Sequence, residues 1–354
     1  MPIASHFSSL QAIRHARCAY SELPWPSIDR PQQRKVLTDS IPSRDRIDLS
    51  ELSRHGIWIG NDIEKLHVLV ASGNARRHSS SLVCHVFSSP LPNETLLRIS
   101  PDTYCCSPAL TALQCSINRS VSFALMLIME LLGSYSLPAE ATFPIAHGGR
   151  WPDSIKASEI DQTHYGCEPA VTIKELRKLA RWTKSSAARP FRQAVEIAAE
   201  GSASPSESIM FGMFGAPMRL GGFACNSLPK GGMLLNHRLD FDTDAMHMAS
   251  GMPYAVLDAD IPAAKIDLEY NGAEHESLNA RIHDGNRNNG IKGMGYKVLV
   301  INRDQMRDIV ALEAIAKSIH RDAGSRFRYS IAGYRNRQIA WLNGLRAATG
   351  LPPA

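Results

Sequence analysis

The segment Lys265–Asn271, with the sequence KIDLEYN, alternates charged or polar residues with apolar ones. Successive side chains of a β-strand point to opposite faces of its sheet. One face of this strand is therefore predicted to carry Lys265, Asp267, Glu269 and Asn271. Carboxylates this close together repel each other unless a cation or a proton intervenes, and a buried carboxylate needs a partner. A fold that contains this strand must therefore place a cation or a proton beside these carboxylates.

The elements around this strand are predicted in the order helix, strand, strand, helix, strand, helix. The capping box Ser204-Pro205-Ser206-Glu207 begins the first helix. Strands are predicted over 254–258, 265–271 and 296–301, and helices over 274–294, 305–320 and 328–346. This order predicts an α/β fold whose core is a small mixed sheet flanked by helices.

The first half of the chain is predicted to form a separate α+β domain. Short β-like runs at 66–70, 82–87, 96–99 and 104–106 precede apolar helices at 108–113 and 123–132. Five segments are predicted along the chain: a loosely ordered lead-in with one short helix (1–50), a small α+β domain (51–135), a linker with helices (136–200), the α/β domain (201–320) and a basic C-terminal helix (321–354).

Composition excludes several classes of protein. The 354 residues are 44% hydrophobic and 21% charged, which excludes a wholly disordered, collagen-like or coiled-coil chain. The net charge of +5 permits a nucleic-acid partner without requiring one. The seven cysteines form no CxxC pair, which argues against a zinc ribbon and a disulfide framework. No apolar run approaches the roughly 20 residues of a membrane helix, and no secretory signal is evident, so we expect a cytoplasmic protein without a membrane partner.

Asp258 lies at the end of the strand that precedes Lys265–Asn271. If these two strands pair as a hairpin, the Asp258 carboxylate approaches Glu269 or its neighbours. Such hard oxygen ligands suit Mg²⁺, or Mn²⁺ in its place, because Mg²⁺ takes one or two carboxylates together with waters and phosphate oxygens. Asp258 and Glu269 are therefore the predicted metal ligands.

Residues 254–301 resemble the PD-(D/E)XK nuclease superfamily, and within it the very-short-patch-repair-like endonuclease domains of bacterial proteins. The resemblance covers residues 201–320. The positions that match its pattern are Asp258, Pro262, Glu269, Gly272, His275, Asp284, Arg287 and Gly295. The resemblance implies a restriction-endonuclease-like fold and Mg²⁺-dependent hydrolysis of DNA. It also implies that Glu207, on the upstream helix, is a further acid of the site.

The resemblance assigns roles to the remaining site residues. His275 or Arg287 would contact a phosphate oxygen of the DNA. Where the superfamily has Lys, or this subgroup has Asp, the chain has Asn271, which can hydrogen-bond a water but cannot act as a general base. Lys265, predicted on the same face, would then stand in for that group electrostatically. A catalytically degenerate module that binds nucleic acid, or acts as an antitoxin-like regulator, is the alternative function.

Structural roles are open for most of these residues. Glu207 fits the third position of a capping box, His275 could cap a helix, and Glu269 could pair with Lys265 or Arg287. Asp284 and Arg287 have the spacing of an ion pair within a helix. A basic stretch from Lys317 onward, with interleaved aromatic residues, predicts either a surface that follows a phosphate backbone or a solvated helix face with its aromatics in the core.

The region over residues 51–135 more weakly resembles the antitoxin-like regions of abortive-infection systems. The residues that carry this likeness are Leu66–Val70, Arg77, His85-Val86 and the segment 104–112. It implies a defence setting, in which the partner would be DNA, a toxin or defence protein, or a second copy of the chain.

Overall fold

A computed structural model describes residues 2–40, 42, 47–58, 65–77, 81–87, 90–139, 163–271, 278–329 and 331–354, with the backbone alone over 278–282. The chain divides into two compact units, and both mix helices with sheet. The first unit is Met1–Ala198 with Ala348–Gly350, and the second is Ala199–Ala347 with Leu351–Ala354. The division falls close to the start predicted for the α/β domain, at residue 201.

The first unit carries two sets of elements among its described residues. Its helices are α1 (His6–Ala19), α2 (Arg30–Asp39), α3 (Leu49–Arg54), α4 (Pro108–Ser116), α5 (Val121–Leu132), α6 (Ile173–Trp182) and α7 (Arg189–Ile197). Its strands are β1 (Ile3–Ala4), β2 (Leu66–Val70), β3 (Leu82–Val86), β4 (Leu96–Arg98), β5 (Tyr104–Cys106), β6 (Tyr135–Ser136) and β7 (His164–Tyr165).

The short strand β1 lies in the middle of a five-stranded sheet with the order β3-β2-β1-β5-β4. It runs antiparallel to β2 and parallel to β5, and both of its residues are buried. The prediction that residues 1–50 form a loosely ordered lead-in is therefore wrong. It also follows that residues 51–135 do not make a domain by themselves, because their sheet is completed by β1.

Helix α1 packs into the core of the first unit through both apolar and charged side chains. Leu10 and Ile13 are fully buried, and so is Arg14. The Arg14 guanidinium donates from Nε to Glu130 Oε1 at 2.8 Å and from Nη2 to Glu130 Oε2 at 2.6 Å. Arg17 donates to the carbonyl oxygens of Glu130 and Gly133, so it adds a donor to the carbonyl groups at the C-terminal end of α5.

A capping box at Thr172 begins α6, with reciprocal bonds between Thr172 and Glu175. The linker predicted from residue 136 lies inside the first unit, since that unit extends to Ala198. Strand β6, at the start of this segment, pairs with β7, and residues 140–162 are outside the described ranges. Within the described ranges, every helix falls short of the length and apolar character that crossing a bilayer requires.

The second unit has its own set of helices and strands. The helices are α8 (Pro205–Gly215), α9 (Thr243–Met248), α10 (Leu278–Gly293), α11 (Ile309–Asp322) and α12 (Tyr334–Ala348). The strands are β8 (Leu234–Asp240), β9 (Tyr254–Ile261), β10 (Ile266–Asn271) and β11 (Lys297–Asn302), in a sheet with the order β11-β10-β9-β8. β8, β9 and β10 are successively antiparallel, and β11 is parallel to β10, so the sheet is mixed, as predicted.

Helices α8 and α12 lie in close contact because Gly212 has no side chain. A Cβ atom there would lie 2.8 Å from Leu345 Cδ1. The Trp341 indole also donates to the Gly212 carbonyl oxygen at 2.8 Å, and Trp341 and Leu345 are buried. The predicted basic C-terminal helix is thus α12, with one face in the core of the second unit.

Candidate active site

Strands β9 and β10 pair next to the turn that joins them and separate further along. Ile261 pairs with Ile266, and Asp260 pairs with Asp267. If this register continued, Asp258 would pair with Glu269. Instead, the Asp258 carboxylate accepts a hydrogen bond that a backbone carbonyl oxygen of β9 would accept in a regular ladder. Its Oδ2 accepts a hydrogen bond from the Tyr270 backbone N–H at 3.3 Å. The hairpin therefore brings Asp258 beside Glu269, as predicted.

Glu207 reaches this region from the first turn of α8. Ser204 caps the helix by accepting from the Glu207 N–H at 3.1 Å, and Glu207 Oε1 accepts from the Ser204 hydroxyl at 3.0 Å. Glu207 Oε2 accepts from the Ala203 N–H, one residue earlier than in a capping box. The structural role foreseen for Glu207 is therefore present, and it fixes the carboxylate near Asp258.

Sequence reasoning missed Asn236, which connects α8 to the sheet. Asn236 lies in β8 at the ladder position facing Asp258, between the pairs Leu235–Ala259 and His237–Leu257. Its backbone is left-handed, with φ at +46°. The side-chain amide donates to Glu207 Oε2 at 2.6 Å and to the Gly201 carbonyl oxygen at 2.8 Å. Asn is depleted in strands and tolerates a left-handed backbone. An asparagine inside this strand is therefore the sequence signal that could have indicated the role of Asn236.

Asp267, Glu269 and Arg287 form the second half of the site. The Arg287 guanidinium bonds the Glu269 carboxylate through Nη1. Through Nη2 it reaches Asp267 Oδ2 at 3.2 Å and the Val256 carbonyl oxygen at 2.6 Å. Both acids thus face one cation, as the predicted alternation requires. Arg287 pairs with Glu269 rather than with Asp284, whose carboxylate lies 3.7 Å from the ring of the neighbouring His283.

The electrostatics of the site show an excess of negative charge. Burial, followed by the charge of Glu207, raises the pKa of Asp258 to about 6, and Glu269 adds to the shift while Arg287 opposes it. Burial and the charge of Glu269 also raise the pKa of Asp267 well above its ordinary value. Asp267 is fully buried, and its Oδ1 finds no hydrogen-bond partner among the described residues. One arginine does not balance these four carboxylates.

Of the remaining predicted site residues, the structure describes Lys265 and Asn271. Lys265 is in the turn before β10, with a left-handed backbone, and its Nζ donates to the Met294 carbonyl oxygen at 3.4 Å. The strand alternation therefore does not extend to Lys265. Asn271 is exposed at the end of β10, and His275 lies outside the described residues.

A metal site fits these residues only as a two-carboxylate site. No group of three or more His, Cys, Asp or Glu side chains in the described ranges has the arrangement of a metal centre. Mg²⁺ needs only one or two carboxylates, since water and phosphate oxygens complete its shell. Asp258 suits such a role, because burial and then the charge of Glu207 raise its pKa, and a nearby cation would favour its charged form. Glu269 suits it less well, because it already shares Arg287 with Asp267.

A second buried acid, Asp260, was not singled out from the sequence. It is 1% exposed, and its Oδ2 accepts from His237 Nδ1 at 2.8 Å. Burial raises the pKa of Asp260, while the bond to His237 lowers it. Asp260 pairs across the ladder with Asp267, which Arg287 contacts. The Asp260–His237 pair therefore lies on β9 and β8, of which β9 is next to β10.

Part of the basic C-terminal stretch is compensated by one acid. Lys317 and Arg335 both pair with Glu313, at 2.6 and 3.0 Å. Tyr334 and Trp341 are buried and donate to backbone carbonyl oxygens. Tyr329 is half exposed and stacks on Tyr334. This agrees with a solvated helix face whose aromatics pack in the core, the structural alternative foreseen for this stretch.

Comparison of the chain with protein-family models, with curated proteins and with solved structures finds no match.

Proposed function

We propose that the second unit is a Mg²⁺-dependent endonuclease of the restriction-endonuclease-like fold, which hydrolyses phosphodiester bonds of DNA. The observation that carries this proposal is the convergence of Glu207, Asp258 and Glu269 where β9 and β10 separate. These carboxylates come from one helix and two strands, and Asp258 has a pKa raised to about 6 by burial and by the other two acids. Such a concentration of acid is stable only near a cation or a proton.

The arrangement of the second unit also supports the proposal. A small mixed sheet flanked by helices is what the resemblance to PD-(D/E)XK nucleases implies, and Asp258 and Glu269 lie on its two central strands, β9 and β10. The 11-residue spacing of Asp258 and Glu269 corresponds to a hairpin whose register, if continued, would set the two opposite each other.

The residues of the candidate site have different roles in the proposed reaction. Asp258 and Glu269 would hold Mg²⁺, which would polarise the scissile phosphate and lower the pKa of a bound water. Ser204 and Asn236 hold Glu207 in place through hydrogen bonds. Arg287 offsets the charge of Glu269 and Asp267, and its rigid donor fork suits a phosphate oxygen equally well. Asn271 can orient a water but cannot remove its proton.

A second candidate function is a nuclease-fold module that binds nucleic acid, or acts as an antitoxin-like regulator, without cutting. Two observations favour it. Asn271 replaces the general base of the superfamily. Arg287 also supplies Glu269 with an internal cation, so that carboxylate does not need a metal for its charge to be offset.

The test is incubation of the purified protein with single- and double-stranded DNA in Mg²⁺, Mn²⁺ or EDTA. We expect cutting with either metal and none with EDTA. Asp258→Asn and Glu269→Gln keep the size of each side chain and remove its charge, and each is expected to abolish cutting. The matched control is Asp244→Asn, which removes the same charge from an exposed position on α9 and is expected to cut normally.

Binding of DNA without cutting, at the same affinity in all variants, would support the second candidate. Cutting that persists in EDTA, or in Asp258→Asn, would contradict the proposed active site. Circular dichroism of each variant separates loss of activity from loss of folding.

A further inference from the structure

The first unit contains a cavity of about 670 Å³, distant in sequence from the acids described above. Its wall includes His6, Arg76, His85, Phe87, Gln114 and Trp182. The volume lies within the range of about 300–1,000 Å³ that is typical of small-molecule sites. We propose that this cavity binds a small anion that carries a planar ring, such as a mononucleotide.

The charge of the cavity favours an anion. Arg76 and Lys184 are both on its wall, and among the described lining residues there is no Asp or Glu. The Lys184 ammonium donates to the Arg181 carbonyl oxygen at 2.9 Å, which leaves its charge uncompensated. Arg and Lys are the usual partners of phosphate groups.

Gln114 provides a buried donor. It is 4% exposed, and its Oε1 accepts from the His6 backbone N–H at 3.1 Å. Its Nε2 is buried, no oxygen or nitrogen of the described residues accepts from it, and the weakly accepting Cys106 thiol is its neighbour. A buried donor without a strong acceptor is costly, and an acceptor on a bound ligand would satisfy it.

Three histidines form one cluster beside the cavity. The rings of His6 and His85 stack with centroids 3.4 Å apart, and His85 Nε2 lies 2.9 Å from His67 Nδ1. His6 has a left-handed backbone, with φ at +49°. Strain of this kind costs about 1–3 kcal/mol, and in folded proteins it concentrates at functional sites. Burial, with the charges of His67 and Arg76, lowers the pKa of His85 to about 4, so this ring is neutral at pH 7.

Aromatic side chains supply the contact for a planar ring. Phe87 and Trp182 stack on each other at 5.7 Å between centroids, with 22° between their planes, and both line the cavity. An aromatic face with cations nearby can hold a base by stacking while the phosphate meets Arg76 and Lys184.

The test is calorimetric titration of the full chain with three probes: AMP, adenosine and inorganic phosphate. We expect AMP to bind more tightly than either of the other two. Arg76→Gln is expected to weaken AMP binding by about tenfold, as loss of a charge-assisted contact would. The control is Arg77→Gln, because Arg77 bonds the backbone oxygens of Asn74 and Arg76 and is not on the wall. Trp182→Leu is expected to weaken binding of AMP and to leave binding of phosphate unchanged.

Two outcomes would overturn the proposal. The first is that no probe binds at about 1 mM, and the second is that Arg76→Gln and Arg77→Gln bind AMP equally. Equal affinity for AMP and phosphate would refute the ring contact. A second measurement needs no variant: the imidazole C–H signals of the wild-type protein, followed by NMR against pH, should show that AMP raises the pKa of His85, since a bound anion favours the imidazolium.

Discussion

His85 links the folding of the first unit to pH. Burial holds its pKa near 4 in the folded chain, whereas an unfolded histidine titrates near about 6.5. Between these values the unfolded chain binds a proton that the folded chain does not. The free energy of unfolding therefore falls as the pH drops from about 6.5 towards 4, by up to about 1.4 kcal/mol per pH unit for one such group. His6, whose pKa is also lowered by burial and by His85, acts in the same direction.

We predict that His85→Gln flattens this dependence. Glutamine does not titrate, and it retains a donor and an acceptor towards His67. The measurement is the free energy of unfolding in urea between pH 4 and 7, for wild type and variant. His164→Gln, which changes an exposed histidine of β7, is the control and should keep the wild-type slope. A wild-type slope in His85→Gln would contradict the prediction.

At the level of residues, the sequence predicted part of the candidate site. Alternation along β10 and the spacing to Asp258 were enough to place Asp258 near Glu269. The partners of these acids could not be predicted in the same way. Arg287 could pair within α10 or with β10, and only the position of the helix on the sheet decides between them. Asn236 acquires its role from a left-handed backbone in the middle of a strand, which no periodicity indicates.

At the scale of elements, α1 is tied to α5 by a buried ion pair. Arg14 and Glu130 are 2% and 1% exposed at their side chains and meet through two parallel hydrogen bonds. Glu130 Oε1 also accepts from the Leu137 backbone N–H at 3.1 Å. The pair therefore joins three segments of the first unit. Removing one member leaves the other as an unpaired charge in the core.

We predict that Arg14→Met destabilises the first unit by about 3–5 kcal/mol. Arg14→Met combined with Glu130→Gln should lose less than the sum of the two single changes, because the orphaned charge is removed as well. Urea unfolding measures both. Arg34→Met, at an exposed position of α2, is the control and should change stability by less than about 0.5 kcal/mol. Equal effects at positions 14 and 34 would contradict the structural role of the pair.

The same elements show why residues 1–50 were misread. A strand of two residues, Ile3-Ala4, is too short to display a period, and its stability comes from the strands on either side. Arg14 and Arg17 look like surface residues in a sequence, since arginine is rarely buried without a partner. Their partners lie more than a hundred residues away. By contrast, β2 and β5 were predicted with their observed bounds, because each is a compact β-rich run between turn residues.

At the scale of the whole molecule, each unit has a buried core of its own. One cluster in the first unit includes Leu52, Ile57 and Val68, and one in the second includes Phe241, Leu257 and Ile291. Units with separate cores often unfold in separate steps. We therefore predict two transitions in scanning calorimetry of the full chain.

Two variants, one in each unit, show which unit unfolds in each transition. Arg14→Met should lower the temperature of one transition alone. Trp341→Leu, which removes the bond to the Gly212 carbonyl oxygen, should lower the temperature of the other. A single transition that moves with either variant would contradict the prediction.

The central position of β1 has a consequence for synthesis of the chain. Ala4 pairs with Val68 on one side and with Cys105 on the other, so β1 waits for about a hundred further residues before both of its neighbours have been made. At translation rates of about 5–20 residues per second, this delay is about 5–20 seconds. For the first part of that interval, until β2 is made, the apolar side chains of α1 have none of the sheet to pack against.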